Sequence, residues 1–206
     1  MSKSDRRSKG KGQGQKTLAG YEVLLCIGGG IACYKSADLA SDLRQAGAGV
    51  TVAMTAAATR FIQPLVFQTL TERQVYTSLW TRAEDFRSQH VSLTESADLM
   101  IIAPATANTI GKLAAGIADD LVSTLALATA TRCPVLLAPA MNVRMWSARP
   151  VQANVKRLKE WGFHFVGPVE GRLADGTIGT GRMSEPQDIL QAAKTILLQK
   201  PPRKKR

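Results

Sequence analysis

Aromatic residues make up only 5% of this 206-residue chain, and cysteine and histidine are scarcer, at three and two. Cys26, Cys33 and Cys133 form no C-x-x-C pair. With only His90 and His164 beside them they cannot assemble a zinc set, so neither a structural metal nor a disulfide scaffold is expected. No apolar run reaches the roughly 18 to 20 residues that cross a bilayer. The basic N-terminus adjoins no apolar signal segment, so the expected setting is the cytoplasm, with reduced thiols.

Acidic residues are also few, 16 against 27 Lys and Arg, for a formal net charge of +11. The location of that excess decides its meaning. Residues 1–17 hold six basic groups and one acid, and residues 200–206 hold five basic groups and none. The 182 residues between them carry 16 basic and 15 acidic groups, a net of +1. The tails can contact phosphates of a nucleic acid, but runs of like charge are more often solvated ends. The expected organisation is a basic tail at 1–17, one domain at 18–199 and a second basic tail at 200–206.

What is abundant is short apolar runs, with 45% apolar residues overall. YEVLLCI (21–27), VTVAM (50–54), ADLMIIAP (97–104) and PVLLAP (134–139) have strand length. QVYTSLW (74–80) holds a short strand, and FHFVGP (163–168), in which His164 alternates with apolar neighbours, reads as the last. Helical spacing is read at 31–47, from about Ala57 to Leu70, at 106–130 as one or two helices, at 148–162 and at 185–200. Strands alternating with helices predict an α/β fold, a single Rossmann-like domain with a doubly wound parallel sheet. Right-handed crossovers then bring GGGIA, MTAAAT, APATANT and APAMN to one sheet edge.

The first of these loops, Gly28-Gly29-Gly30-Ile31-Ala32-Cys33, nearly fits the dinucleotide fingerprint. However, Cys33 holds the third glycine position, and the second strand ends in Ala53-Met54-Thr55 with no acid for a ribose. A glycine turn at a helix start still suits one phosphate, with Thr55, Thr106 and Thr109 as hydroxyl donors, which favours a mononucleotide. Thr106 or Asn108 can cap the helix that follows, and Asn108 offers a donor and an acceptor. Asp119 and Asp120 read either as exposed helix charges or as a ribose acceptor. Asn142 follows a strand end, with Met141, Met145 and Trp146 around it as core or as ligand contacts. His90 is the one obvious proton carrier outside the carboxylates. GRLADGTIGTGRM (171–183), with four glycines in thirteen residues, reads as a mobile flap or as a plain surface loop.

GGGIACYK, the H-x-x-L of His90 to Leu93, PATANTIGKLAAGIADDL, PAMNVRMW and GRLADGTIGTGRM occur here in one order. Together they resemble the flavin-dependent cysteine decarboxylases, and most closely the branch acting in coenzyme A biosynthesis, over residues 21 to 198. The resemblance implies a homotrimer or homododecamer that binds FMN non-covalently between subunits. Gly30, Ile31, Thr55, Thr106, Ala107, Asn108 and Thr109 match FMN contacts, His90 the active-site histidine, and Asn142, Met145 and Ala174 substrate contacts. The implied reaction is decarboxylation of 4′-phosphopantothenoylcysteine to 4′-phosphopantetheine, with the cysteine adduct supplied by a synthetase on a separate chain.

One departure stands out. The resembled flap carries Ala-Cys-Gly, whose cysteine gives the last proton, whereas this chain has Ala174-Asp175-Gly176. Asp175 is the acid candidate by position, and burial under a closed flap is expected to raise its pKa enough to donate. If it stays ionised, the reaction stops at the enethiol, as in the relatives that act on peptidyl cysteines. A non-enzymatic flavoprotein regulator is a further alternative, opposed by the presence of His90 and Asn142.

Overall fold

The structure, a computed structural model, describes residues 17–80 and 89–203. Val23 to Ile27 are all buried because β1 (Glu22–Ile27) runs through the middle of a parallel sheet covered on both faces. The glycine turn leads into α1 (Cys33–Gln45), and the chain returns along β2 (Gly49–Met54). A 3-10 turn at Ala58–Arg60, α2 (Pro64–Thr71), β3 (Val75–Tyr76), α3 (Gln89–Ser96) and β4 (Leu99–Ala105) follow. Next come α4 (Ala107–Ala115), α5 (Leu121–Thr129), β5 (Val135–Pro139), the short α6 (Val143–Trp146), α7 (Arg149–Glu160) and β6 (His164–Phe165). An antiparallel ribbon, β7 (Val169–Arg172) with β8 (Ile178–Arg182), precedes the closing helix α8 (Pro186–Leu197).

The main sheet has the order β3-β2-β1-β4-β5-β6, every described pair parallel, so the expected doubly wound Rossmann-like architecture is found. Side-chain alternation divides the core. Val23, Leu25 and Ile27 pack with Leu39, Leu43, Phe67 and Ile189 on the face of α1, α2 and α8. Leu24 and Cys26 pack with Leu113, Leu125 and Leu158 on the face of α4, α5 and α7. The strand order reverses between β1 and β4, and the loops after those two strands lie side by side there.

Two expectations are corrected. The helix read across 57–70 is interrupted, because Pro64 disfavours helical geometry in the residue before it and Gln63 is extended, with φ −74° and ψ 141°. FHFVGP is not the last strand. It pairs with the sheet only at His164 and Phe165, and Gly167 (φ 73°) and Pro168 then turn the chain into the ribbon. The stretch read as flap or loop is therefore two short strands and their connecting turn.

Both described ends lie at the sheet edge where β1 starts. The Leu18 N–H donates to the Ala46 carbonyl (2.8 Å), and the Tyr21 hydroxyl donates to the Lys200 carbonyl (2.7 Å). Asp98 accepts from the Glu22 N–H (2.8 Å) and the Arg203 N–H (2.9 Å). Residues 1–16 and 204–206 of the basic tails lie outside the described residues. No described helix is long and apolar enough to cross a membrane.

Candidate active site

The turn after β1 is tightly packed, and its three glycines have different reasons. A Cβ on Gly28 would stand 2.3 Å from the Pro104 carbonyl oxygen, and one on Gly29 would stand 2.4 Å from the Ala57 Cβ. These two permit neighbouring backbone to approach. A Cβ on Gly30 would meet nothing nearer than Thr106 Cγ2 at 3.7 Å, because Gly30 faces a cavity. The first turn of α1 begins at Ala32 without a side-chain cap. Thr106 supplies the N-cap of α4: its Oγ1 accepts from the Thr109 N–H at 3.2 Å and lies 3.1 Å from the Thr109 hydroxyl.

The cavity, of about 770 Å³, spans the strand-end loops. Gly30, Ile31, Thr106, Ala107 and Asn108 form one side of its lining. Asn142 and Met145, with Ala174 and Asp175 of the flap, also line it, so those sequence-derived candidates are brought together. Three are not. Thr109 is buried behind Thr106, and the Thr55 hydroxyl caps the turn at Ala58 N–H (3.1 Å), both outside the lining. His90 sits in the first turn of α3, and its side chain lies outside the described residues. Asp119 and Asp120 are also elsewhere: both pair with Lys112, at 2.6 and 2.7 Å, and Asp120 caps α5 through the Ser123 N–H (2.9 Å). A smaller hollow, of about 320 Å³ where β5 and β6 begin, holds none of the candidates.

The lining also contains residues the sequence reading passed over, notably Tyr34, Lys35, Arg172 and Arg182. Lys35 is 8% exposed, and its Nζ donates to Glu185 Oε1 at 2.9 Å and to the Met183 carbonyl at 3.4 Å. Arg182 donates to the same Glu185 oxygen. The Lys35 hydrogen bond, reinforced by Arg182, holds the Glu185 carboxyl below its ordinary range. The position of Lys35, in the first helical turn after the glycines, was the available signal.

Asp175 differs from expectation. It is exposed, and its Oδ1 accepts from the Thr177 hydroxyl (2.7 Å) and N–H (3.0 Å). Its Oδ2 accepts from the Asn142 side-chain amide. The Thr177 bonds, with Asn142 behind them, hold its carboxyl below the ordinary aspartate range rather than above it. The expected burial is absent, and each donor favours the ionised form. The Asp-Gly-Thr sequence carried that signal, since aspartate readily accepts from the backbone two residues on.

The Flavoprotein family profile matches residues 12–198. The chain is 48% identical over 176 residues to the coenzyme A biosynthesis bifunctional protein CoaBC of Bacillus subtilis, covering 85% of this chain and 43% of that protein. It thus spans less than half the length of that relative. It is 39% identical over 170 residues to a probable phosphopantothenoylcysteine decarboxylase of Streptococcus mutans, covering 82% of this chain and 95% of the relative. Among solved structures it matches a cysteine-to-serine variant of PPC decarboxylase complexed with pantothenoylaminoethenethiol. That match has a TM-score of 0.76 and 30% identity, over 85% of this chain and 97% of the other. It also matches the FMN-dependent cysteine decarboxylase SpaF, with a TM-score of 0.77 and 32% identity over 88% and 97% of the two chains.

Proposed function

The chain belongs to the Flavoprotein family, and on that footing we propose that its cavity binds FMN and decarboxylates 4′-phosphopantothenoylcysteine to 4′-phosphopantetheine in coenzyme A biosynthesis. The observation that carries this reading is the cavity of about 770 Å³ at the reversal of strand order. Its volume suits a nucleotide-sized ligand. The open space over Gly30 and the uncapped first turn of α1 suit the close approach of a phosphate. When bound, the flavin supplies a reversible two-electron store for the cysteine carbon of the substrate.

The chain's own groups divide the remaining work. Asn142 is held by a hydrogen bond from the Arg144 N–H to its Oδ1 (2.8 Å), which turns its amide donors outward toward a substrate carboxylate. Met145, Ile31 and Tyr34 give the cavity apolar walls that exclude water from the departing carbon dioxide. His90 is the proposed proton carrier at the thiol, by its place in the resemblance. Ile31 and Tyr34 are 62% and 61% exposed, which supports an assembly of several copies, a homotrimer or homododecamer, closing the cavity. The substrate comes from a ligase joining cysteine to phosphopantothenate, and the proposed setting is the cytoplasm.

Asp175 favours a second reading. An ionised carboxylate has no proton to give, so without another donor decarboxylation ends at the enethiol, and its two electrons leave to an oxidant such as dioxygen. The test is to incubate the purified yellow protein with 4′-phosphopantothenoylcysteine and identify the product by mass. Loss of carbon dioxide alone is expected. A product two hydrogens lighter selects the second reading. A colourless protein that takes up no FMN, or an unchanged substrate, sinks both.

A further inference from the structure

The contact between the flap and the β5 loop has a meaning apart from proton supply. We propose that Asp175 is an internal carboxylate seated on the Asn142 amide, latching the flap tip and competing with the carboxylate of the incoming substrate. The proposal rests on the reading of Asn142 as the substrate's carboxylate contact.

Three observations carry it. Asn142 has a fixed orientation, since its Oδ1 accepts from the Arg144 N–H at 2.8 Å and only its nitrogen faces the flap. Asp175 is aimed rather than free: Thr177 grips Oδ1 twice, at 2.7 and 3.0 Å, leaving Oδ2 to accept from Asn142. The ribbon is anchored at its base and joined to the β5 loop at its tip by that hydrogen bond. At the base the Met141 N–H donates to the Gly181 carbonyl at 2.9 Å, and a Cβ on Gly181 would stand 2.3 Å from the Met141 oxygen. At the tip, Gly176 has φ 84° and open space around it. The Asp175–Asn142 bond is solvent-exposed, so water and ligand compete for it, which makes it a displaceable latch and not a lock. A carboxylate substrate would draw on the same nitrogen, and although its second N–H could serve that group, two anions would then stand side by side, so each weakens the hold of the other.

The test uses the full-length, flavin-loaded protein and two unreactive ligands without a thiol. One is 4′-phosphopantothenoyl-alanine, which keeps the carboxylate. The other is 4′-phosphopantothenoyl-ethylamine, which lacks it. Calorimetry should show Asp175→Ala binding the alanine conjugate about fivefold more tightly. The ethylamine conjugate should stay within about twofold, and Thr177→Val should fall between wild type and Asp175→Ala. Trypsin should cut after the exposed Arg172 severalfold faster in Asp175→Ala, as the tip is released. Equal changes for the two conjugates, or weaker binding of the alanine conjugate, would overturn the competition. Unchanged cleavage at Arg172 would overturn the latch. If neither conjugate binds any form, the substrate assignment has failed, and the cleavage rate still decides the latch.

Discussion

A thiol shows how far the surroundings of a residue set its chemistry. Cys33 opens α1 three residues past Gly30, where helix dipole and backbone donors ordinarily activate a cysteine. Here the side chain is buried, its Sγ donates to the Gly28 carbonyl at 3.0 Å, and burial pushes its pKa up. Burial does the same to Cys26, and it pushes Cys133 up to about 11. None of the three is a thiolate near neutrality. Ellman's reagent at pH 8 should therefore label no cysteine of the native protein within minutes and all three in guanidinium. Rapid labelling of one in the native state would contradict the packing around it. Asp175 is the opposite case: a group expected to be buried is exposed and saturated with donors. Residue identity announced an acid there, and only the Thr177 rotamer and the reach of Asn142 settled which protonation state it holds.

The glycine turn gives the sharpest expectation at the level of elements. Gly28→Ala places a methyl 2.3 Å from a backbone oxygen of β4, which cannot swing aside, and should destabilise the protein by about 2 to 3 kcal/mol in urea melts. Gly30→Ala has room, so stability should change by less than about 0.5 kcal/mol while flavin absorbance per chain falls. If both variants melt alike, the third glycine is structural and the cavity assignment there is wrong. The strands β1, β2, β4 and β5 were legible because a parallel strand buried on both faces reads as an unbroken apolar run, and β1 and β4 are such runs. The ribbon was not: Gly171, Gly179 and Gly181 have weak strand propensity, and the ribbon is held by its own pairing and by the contacts of Gly179 with Val143 and Gly181 with Met141. The break at Gln63 was also missed, because the helix read from about Ala57 to Leu70 took no account of Pro64 within it. At the site, Asn142 was conspicuous as a polar side chain directly after a strand, and Asn108 as an amide with both a donor and an acceptor in the segment after β4; both line the cavity. Lys35 was hidden because its partner, Glu185, lies 150 residues away in sequence.

For the molecule as a whole, charge sets the response to acid. For Asp120, burial works to raise the pKa, but the Lys112 pairing and the Ser123 bonds outweigh it, so the net shift is downward. Glu185 is lowered by Lys35 and Arg182. In both cases the unfolded chain binds the proton more readily. The stabilisation is therefore complete above the ordinary values of 3.8 and 4.5, and is lost as pH falls through the lower native values. Melting temperature should hold from neutrality to about pH 5 and fall below it, and Glu185→Gln should flatten part of that fall. A melting temperature that rises on acidification would refute both pairings. The net charge of +11 adds self-repulsion as the carboxylates neutralise, in the same direction. The two described ends emerge together, with Pro202 3.4 Å from where a side chain on Gly20 would begin, behind the first residues of β1. The mouth of the cavity faces the other way, about 20 Å off along a six-residue strand. The chain thus leaves the described fold, at residues 17 and 203, from its rear and clear of the entrance.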